Sequence, residues 1–357
     1  MDIKNNKQEY KRDVAKKVLF IFALIVILSI VAIYSCAIGT GYGFFETYDA
    51  ILKHIMGEAY VRASAEWWRD HYIWENILPS VAISMVAGAG LAVGGTVMQS
   101  MMGNPLADPY TTGISSGACL GAVAAIVVGF TFASTTGEMG IITNAFIFSM
   151  IPAFIVIGIS KFVGNSPSTM ILIGTALSSF FNSIVTLLMI STDADTLRTA
   201  FVWQIGSVTS VTWSDLPLIT AIVLVTSISI GITSSKLNIL TLGEDSAKTL
   251  GVDVDNFRLI CLAILSILVA TIVSYTGIIG FVGLVSPHIA RFIIGGNNRF
   301  VLPAAMLISA LMLNIANVAS RLLIPYGDIP VGVVMAFIGA PIFLYLVVKS
   351  KANREMF

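Results

Sequence analysis

Residue types that could do chemistry are sparse in this sequence. Gly113-Ile114-Ser115-Ser116-Gly117 matches G-x-S-x-G, the pattern of a nucleophile elbow. In an elbow the serine sits between a strand and a helix and is served by an acid and a histidine. Here the run opens an apolar stretch with no strand before it, and of His54, His71 and His288 only the last lies near an apolar span. The simpler reading is a helix–helix contact, because Gly, Ala and Ser let backbones approach inside a bilayer. Cys36, Cys119 and Cys261 stand alone in apolar runs, and neither C-x-x-C nor H-E-x-x-H occurs. No metal site, cofactor or disulfide framework is therefore expected. G-x-x-x-x-G-K-[ST] is also absent, so ATP binding through a P-loop is not expected of this chain.

A second kind of chemistry is recognition. Gly243-Glu244-Asp245-Ser246-Ala247-Lys248-Thr249-Leu250-Gly251 predicts a short helix with its own punctuation. Glu244 and Asp245 fall in the first turn and Lys248 in the last, as the helix dipole favours, and Gly251 suits the left-handed position that ends a helix. A charged helix beside apolar spans presents a surface for a soluble partner; the alternative is a solvated hairpin. Three further runs punctuate the apolar chain. Asn104–Pro109 carries two prolines and Asp108 and predicts a break. Gly277–Arg291 is glycine-rich and then broken by Pro287, which suits a sharp re-entry. Gly88, Gly90, Gly94 and Gly95, followed by Gln99, predict close helix packing.

The elements that must position these groups follow from composition. Of 357 residues, 56% are hydrophobic and 11% charged, and the mean hydropathy is +0.89. A soluble domain carries roughly 25% charged residues, so most of this surface faces lipid. Zero net charge gives no electrostatic case for nucleic acid. A bilayer core needs about 20 apolar residues per helix. Ten runs approach that: Val18–Ile38, Ile77–Met102, Thr111–Phe132, Ile141–Lys161, Thr169–Ile190, Leu216–Thr233, Arg258–Thr276, Ile278–Ile294, Val301–Leu323 and Val331–Val348. The first is too long for a signal-peptide core and reads as a retained span. With the N-terminus inside and ten crossings, 15 of the Lys and Arg residues fall inside and 5 outside, as the positive-inside rule asks. The expected organisation is all-α: a cytoplasmic segment (1–17), one transmembrane unit (18–349) and a cytoplasmic tail (350–357). The unit carries an external loop, 39–76, whose Trp and Tyr residues suit a helix at the lipid interface, and a cytoplasmic hairpin, 234–257.

Together these segments resemble the FecCD family, permease subunits of importers for iron chelates, haem and cobalamin. The resemblance is carried by Gln99 through Pro109, Gly113–Gly117, Trp203-Gln-Ile-Gly206-Ser207, Gly243–Gly251, Gly280–Arg291 and Asp328-Ile-Pro330-Val-Gly332 through Pro341, in the family's order over residues 75–350. It implies a polytopic helix bundle, the type II ABC importer fold with ten spans, in a prokaryotic cell membrane with both termini cytoplasmic. It also implies a second permease subunit (a copy or a homologue), two separate ABC ATPase subunits, a substrate-binding protein outside, and membrane lipid as partners. Glu244, Asp245, Ala247, Lys248, Leu250 and Gly251 would then form the coupling element on the ATPase. Spans five and ten would line the path, with Ser178, Asn182, Thr186, Asn314, Gly332 and Gly339 as its candidates. Arg321, helped by Arg62 and Arg69, would dock the binding protein. The implied function is uptake of a metal chelate, ferric siderophore first and haem or cobalamin second; a secondary transporter or an intramembrane serine hydrolase would be the rival. Two positions depart from the family: Ile77-Leu78-Pro79-Ser80 lacks flanking arginines, and Asn317 replaces a common Asp.

Overall fold

Inside a bilayer, backbone N–H and C=O groups have no partners but one another, so long apolar runs must coil. In a computed structural model of the chain each of the ten runs contains a helix. The structure describes residues 3–132, 137–323 and 329–353; residues 1–2, Asp328 and the end of the tail from 354 lie outside them. No strand occurs among the described residues, which leaves Ser115 without the strand a nucleophile elbow needs.

The helices, in chain order, are α1 (Ile3–Ala37), α2 (Phe44–Ile55), α3 (Ala65–His71), α4 (Leu78–Met102), α5 (Ile114–Val123), α6 (Gly137–Val163), α7 (Pro167–Ile190) and α8 (Ala194–Ile205). They continue with α9 (Leu216–Ile232), α10 (Ser234–Leu240), α11 (Glu244–Thr249), α12 (Val254–Thr276), α13 (Val282–Ile294), α14 (Asn298–Leu323) and α15 (Val331–Asn353). A π-helical turn, Tyr72–Ile77, joins α3 to α4, and another, Ala124–Val128, extends α5. Seven of the described helices are long and apolar enough to cross a membrane, or eight if α9 and α10, bent by 59° at their junction, make one span. Two of the ten expected spans, at Ile114–Val128 and Val282–Ile294, are shorter, so length alone does not reach ten crossings.

The centre and the rim differ in burial. The most apolar stretches of α4 and α12 are 72% buried, against 11% for α1 and 17% for α7. Glycine makes the centre possible at two contacts. A Cβ on Gly88 would meet the Ser309 carbonyl of α14 at 2.8 Å, and one on Gly95 would run into the Gly283 backbone of α13. The Ser309 hydroxyl uses that closeness to donate to the Gly88 carbonyl at 2.6 Å.

Hydrogen bonds sort the helix ends into two groups. At one end of α4, Met101 meets Arg258 of α12, which reaches Asn165 between α6 and α7, while Asn238 of α10 binds Asn298 of α14. Beyond its other end, Trp74 meets Trp213 ahead of α9, and Arg321 of α14 meets Ser35 of α1. The expected inside–outside alternation puts these same ends together. The 39–76 loop forms α2, α3 and the π turn: His54 stacks on Trp74 with ring centres 3.9 Å apart, and its Nδ1 meets Asp70 at 2.9 Å. α2 buries Thr47 and Ala50 and exposes Phe45, Leu52 and Ile55.

Candidate coupling segment and membrane path

A six-residue helix is too short to hold itself together in water, so α11 depends on its ends and its anchors. Gly251 has φ +81°. The Gly251 N–H donates to the Lys248 carbonyl and the Val252 N–H to the Ala247 carbonyl, each at 3.0 Å. This is the paired closure of a helix ending in a left-handed residue, the geometry expected of Gly251. Ala247 is fully buried in the main apolar core together with Val252 and Val254. Asp245, Ser246, Lys248, Thr249 and Leu250 are exposed.

Glu244 supplies the other anchor, and its partner is one that sequence reasoning missed. Its carboxylate accepts from Lys248 at 2.8 Å and from Arg258 at 2.8 Å. Hydrogen bonds from Lys248 and then Arg258 hold the Glu244 carboxyl below its usual range, and Glu244 in turn raises Lys248. The Arg258 side chain is only 5% exposed. It also donates to the carbonyls of Met101 (3.4 Å) and Asn165 (3.5 Å), and Asn165 Nδ2 donates to the Asp255 carbonyl at 2.8 Å. A buried charge persists only when paired and hydrogen-bonded, and here it is both. The sequence carried one clue: an arginine at the head of an apolar run reads as an inside surface cation, and nothing local distinguishes that from a buried tether.

A second buried arginine links the same end of the bundle. Arg291 of α13 donates to Gln99 Oε1, to Ser100 Oγ at 3.1 Å and to the Thr96 carbonyl at 3.3 Å. Gln99 Nε2 donates to the Leu284 carbonyl at 3.1 Å, and Ser100 donates to Asn298 at 3.1 Å. Asn298 N in turn donates to Asn238 of α10 at 2.7 Å. Gln99 and Arg291, which head and close two motifs far apart in sequence, are thus one contact.

The chain breaks at Asn104–Pro109 and at the glycine-rich 277–281 turn as predicted, whereas Pro287 lies inside a continuous α13 and does not break it; both breaks reach further than a surface turn. Pro109 packs on Gly94, about two turns inside α4, and the Tyr110 hydroxyl donates to the Ile279 carbonyl at 3.2 Å. The 104–113 segment therefore re-enters the bundle and meets the 277–281 turn, so that α5 and α13 both start within it. Gly117 lies against the Phe148 carbonyl of α6, a helix contact rather than an elbow. His288 is buried beside Phe343, with ring centres 5.7 Å apart.

The path candidates divide by exposure. Asn182 and Thr186 of α7 are exposed and Ser178 is half-buried, its hydroxyl accepting from Ser116 at 3.3 Å. With Thr175, Ser179 and Ser183, Asn182 and Thr186 form one polar stripe at helical spacing on an otherwise apolar span. The Thr175, Ser179, Ser183 and Thr186 hydroxyls donate back to carbonyls four residues earlier at 2.8–3.1 Å, which leaves their lone pairs facing outward. Asn314 is fully buried, and its amide has no hydrogen-bond partner among the described residues. Gly332 and Gly339 are packing positions: Gly332 lies against the Ile205 carbonyl, and a Cβ on Gly339 would stand 2.5 Å from Phe281 Cβ. The exposed face of α15 is apolar, including Phe337, Leu344 and Val348.

Of the docking candidates, Arg62 is exposed. The Arg69 guanidinium lies 5.8 Å over the Tyr42 ring. Arg321 is committed inward: its Nη2 donates to the Ser35 carbonyl at 2.9 Å and its Nε to the Asn317 carbonyl at 3.3 Å. Ser35 lies in the last turn of α1, where carbonyls lack helical partners and a cation is favoured. Both departures from the family meet across α4 and α14, where Asn317 Nδ2 donates to Ser80 Oγ at 3.3 Å.

Known proteins resemble this chain in sequence and in overall fold. An ABC transporter permease protein of Methanocaldococcus jannaschii is 35% identical, with 96% of this chain and 97% of that protein covered. The hemin transport system permease protein of Yersinia pestis is 36% identical over 80% of this chain and 85% of its own. A solved chain described as of metal-chelate ABC transporter type, in an inward-facing conformation, superposes with a TM-score of 0.78 at 30% identity, covering 92% of this chain and 98% of that one. The profile of the FecCD transport family matches residues 18–349, nearly the whole helical bundle described above, and the chain belongs to that family.

Proposed function

We propose that this chain is the membrane permease of an ATP-driven importer whose cargo is a ferric siderophore. The carrying observation is α11: a charged, well-terminated helix held against an apolar bundle by a buried arginine, with its outer face free. A charged helix fixed to an apolar bundle with its polar face open is a surface suited to a soluble partner. The chain has no P-loop, so the ATPase is a separate subunit, present twice on two permeases related as copies or homologues. Glu244, Ala247 and Gly251 shape and anchor the coupling segment, and Asp245, Lys248 and Leu250 meet the ATPase. The chain itself carries out no covalent chemistry.

The α7 stripe supports the transport path. A lipid-facing helix gains nothing from Thr175, Ser179, Asn182, Ser183 and Thr186 on one side, and this chain does not enclose them; a second permease closes the channel, with Ser178 at its margin. Such a surface is neutral and rich in acceptors. It suits a large polar cargo that must pass without binding tightly. Asn314, Gly332 and Gly339 act behind this surface, by packing. Ten crossings with α10 and α11 inside place both termini in the cytoplasm of a prokaryotic cell and α2–α3 outside. There Arg62 and Arg69 face the binding protein and α2 rests on lipid, while Arg321 serves mainly to pin α1.

Transport decides the cargo. Proteoliposomes holding the permease, ATPase and binding protein should accumulate radiolabelled ferric hydroxamate siderophore on ATP addition and at least tenfold less haem or cobalamin. Preferential accumulation of haem, the cargo named for the hemin relative, would replace the siderophore reading and keep the importer.

A further inference from the structure

α11 touches the rest of the chain through few groups, and one of them does something the others do not. Ala247 merely fills the core beneath the helix. Arg258 instead holds four elements at once. It sits on α12, and its guanidinium binds Glu244 of α11, the Met101 carbonyl in the last turn of α4, and the Asn165 carbonyl in the turn from α6 to α7. Asn165 is itself buried and returns a hydrogen bond to the Asp255 carbonyl of α12 at 2.8 Å. The two residues therefore close a loop of bonds between the α6–α7 turn and the head of α12. That turn starts α7, where the Ser166 hydroxyl caps the helix by accepting from the Thr169 N–H at 3.2 Å. About two turns along, at Thr175, α7 begins to carry the exposed hydroxyl stripe.

The chemistry suits a relay. The Met101 carbonyl lies in the last turn of α4, where helix geometry leaves it without an internal partner, and the Asn165 carbonyl lies in a turn outside any helix, so a guanidinium is a proper ligand for both. Only arginine offers several N–H groups in a rigid planar fork; lysine would offer one compact charge on a flexible stem. The pair is also lopsided in its burial: Arg258 is 5% exposed, Glu244 36%. Glu244 can leave with α11, but Arg258 cannot follow into water. Moving α11 away would strip a buried cation of its counter-charge, a state the interior tolerates poorly, so α4, α12 and the α6–α7 turn must rearrange with it.

We infer that Arg258 is the positioning residue that transmits displacement of α11 to the inner ends of α4 and α7, so that partner ATPase movement at α11 is converted into movement of the α7 stripe. This rests on the reading of α11 as the ATPase-coupling segment. Its mechanical content is independent of cargo.

The test uses the assembled permease–ATPase–binding-protein complex in proteoliposomes and reads ATP hydrolysed per cargo imported. Arg258→Gln should assemble and hydrolyse ATP within about threefold of wild type while uptake falls tenfold or more, so that the ATP-to-cargo ratio rises about threefold or more. Arg258→Lys should recover only part of the uptake. The amount of assembled complex and its unfolding temperature are read beside the rates. If Arg258 served folding alone, hydrolysis and uptake would fall together with the amount of assembled complex; the relay predicts that uptake per assembled complex falls while hydrolysis per complex is kept. Proportional loss of hydrolysis and uptake in an assembled complex, or wild-type uptake in Arg258→Gln, overturns the inference. Asp245→Lys with Ser246→Trp, on the exposed face of α11, checks the underlying reading separately. That variant should fail to retain the ATPase; if it assembles and transports normally, α11 is not the coupling surface and the relay falls with it.

Discussion

At the scale of residues, the decisive groups are polar side chains inside an apolar protein. Asn317 and Ser80 form a neutral pair where a carboxylate at Asn317 would cost roughly 2.5–3.5 kcal/mol in the bilayer if unpaired. Arg321 was readable as a cation near a helix end, but its ties to Ser35 and Asn317 depend on where α1 lies, which no local pattern records. Arg321→Gln should lower thermal stability by about 1.5–3 kcal/mol, the worth of a hydrogen bond to a charged group, and leave binding-protein affinity within twofold. Arg62→Glu should reverse that pattern: unchanged stability, with weaker and less salt-sensitive docking, because rim charges act through screened attraction. Thermal unfolding and titration of binding protein onto nanodisc complexes at two salt concentrations separate the two. Glu244 also fixes a pH expectation. Its folded carboxyl titrates below its usual value, so its contribution is present above that usual value and is lost only as pH falls through the lower folded one. Association of the ATPase between pH 6 and 8 should therefore not depend on Glu244 titration; a Glu244-dependent transition in that window, absent in Glu244→Gln, would contradict the tether.

At the scale of elements, what was legible was whatever a single helix decides for itself. The boundaries of α11 followed from Glu244, Lys248 and Gly251, and the structure returns φ +81° at Gly251 with open space around a would-be Cβ. Gly251→Val therefore tests backbone strain alone. It should cost about 1 kcal/mol or more, since β-branched residues resist the left-handed region, and should reduce ATPase retention and uptake while membrane insertion stays intact. Gly95→Ala tests a contact between elements: its methyl meets the Gly283 backbone of α13, and overpacking of this kind costs about 1–3 kcal/mol, read as a lower unfolding temperature. What stayed hidden was whatever two elements decide jointly. The breaks at 104–109 and 277–281 were visible as proline and glycine, but their meeting through Tyr110 and Ile279 was not. Helix position suggested Gly332 and Gly339 for the path; which side of α15 is covered depends on α8 and Phe281.

At the scale of the whole molecule, composition spoke most clearly. A charged fraction of 11% leaves little choice but a lipid-facing helix bundle, and hydropathy located its helices. The number of crossings is subtler, because Ile114–Val128 and Val282–Ile294 are short of a full span and seven or eight of the described helices reach that length. Single cysteines at Glu66 and Ser246, both exposed, in a chain lacking the native three, should label from opposite sides of intact membranes. Labelling of both from outside would end the ten-crossing arrangement. The central claim is that this chain turns ATP hydrolysis by another subunit into movement of a cargo. It is tested most directly by ATP hydrolysis in nanodiscs containing the permease pair with and without the ATPase subunit. The account predicts no hydrolysis by the permease alone, and in the complex a vanadate-sensitive activity that rises when loaded binding protein is added. Hydrolysis that ignores both the permease and the loaded binding protein would contradict it.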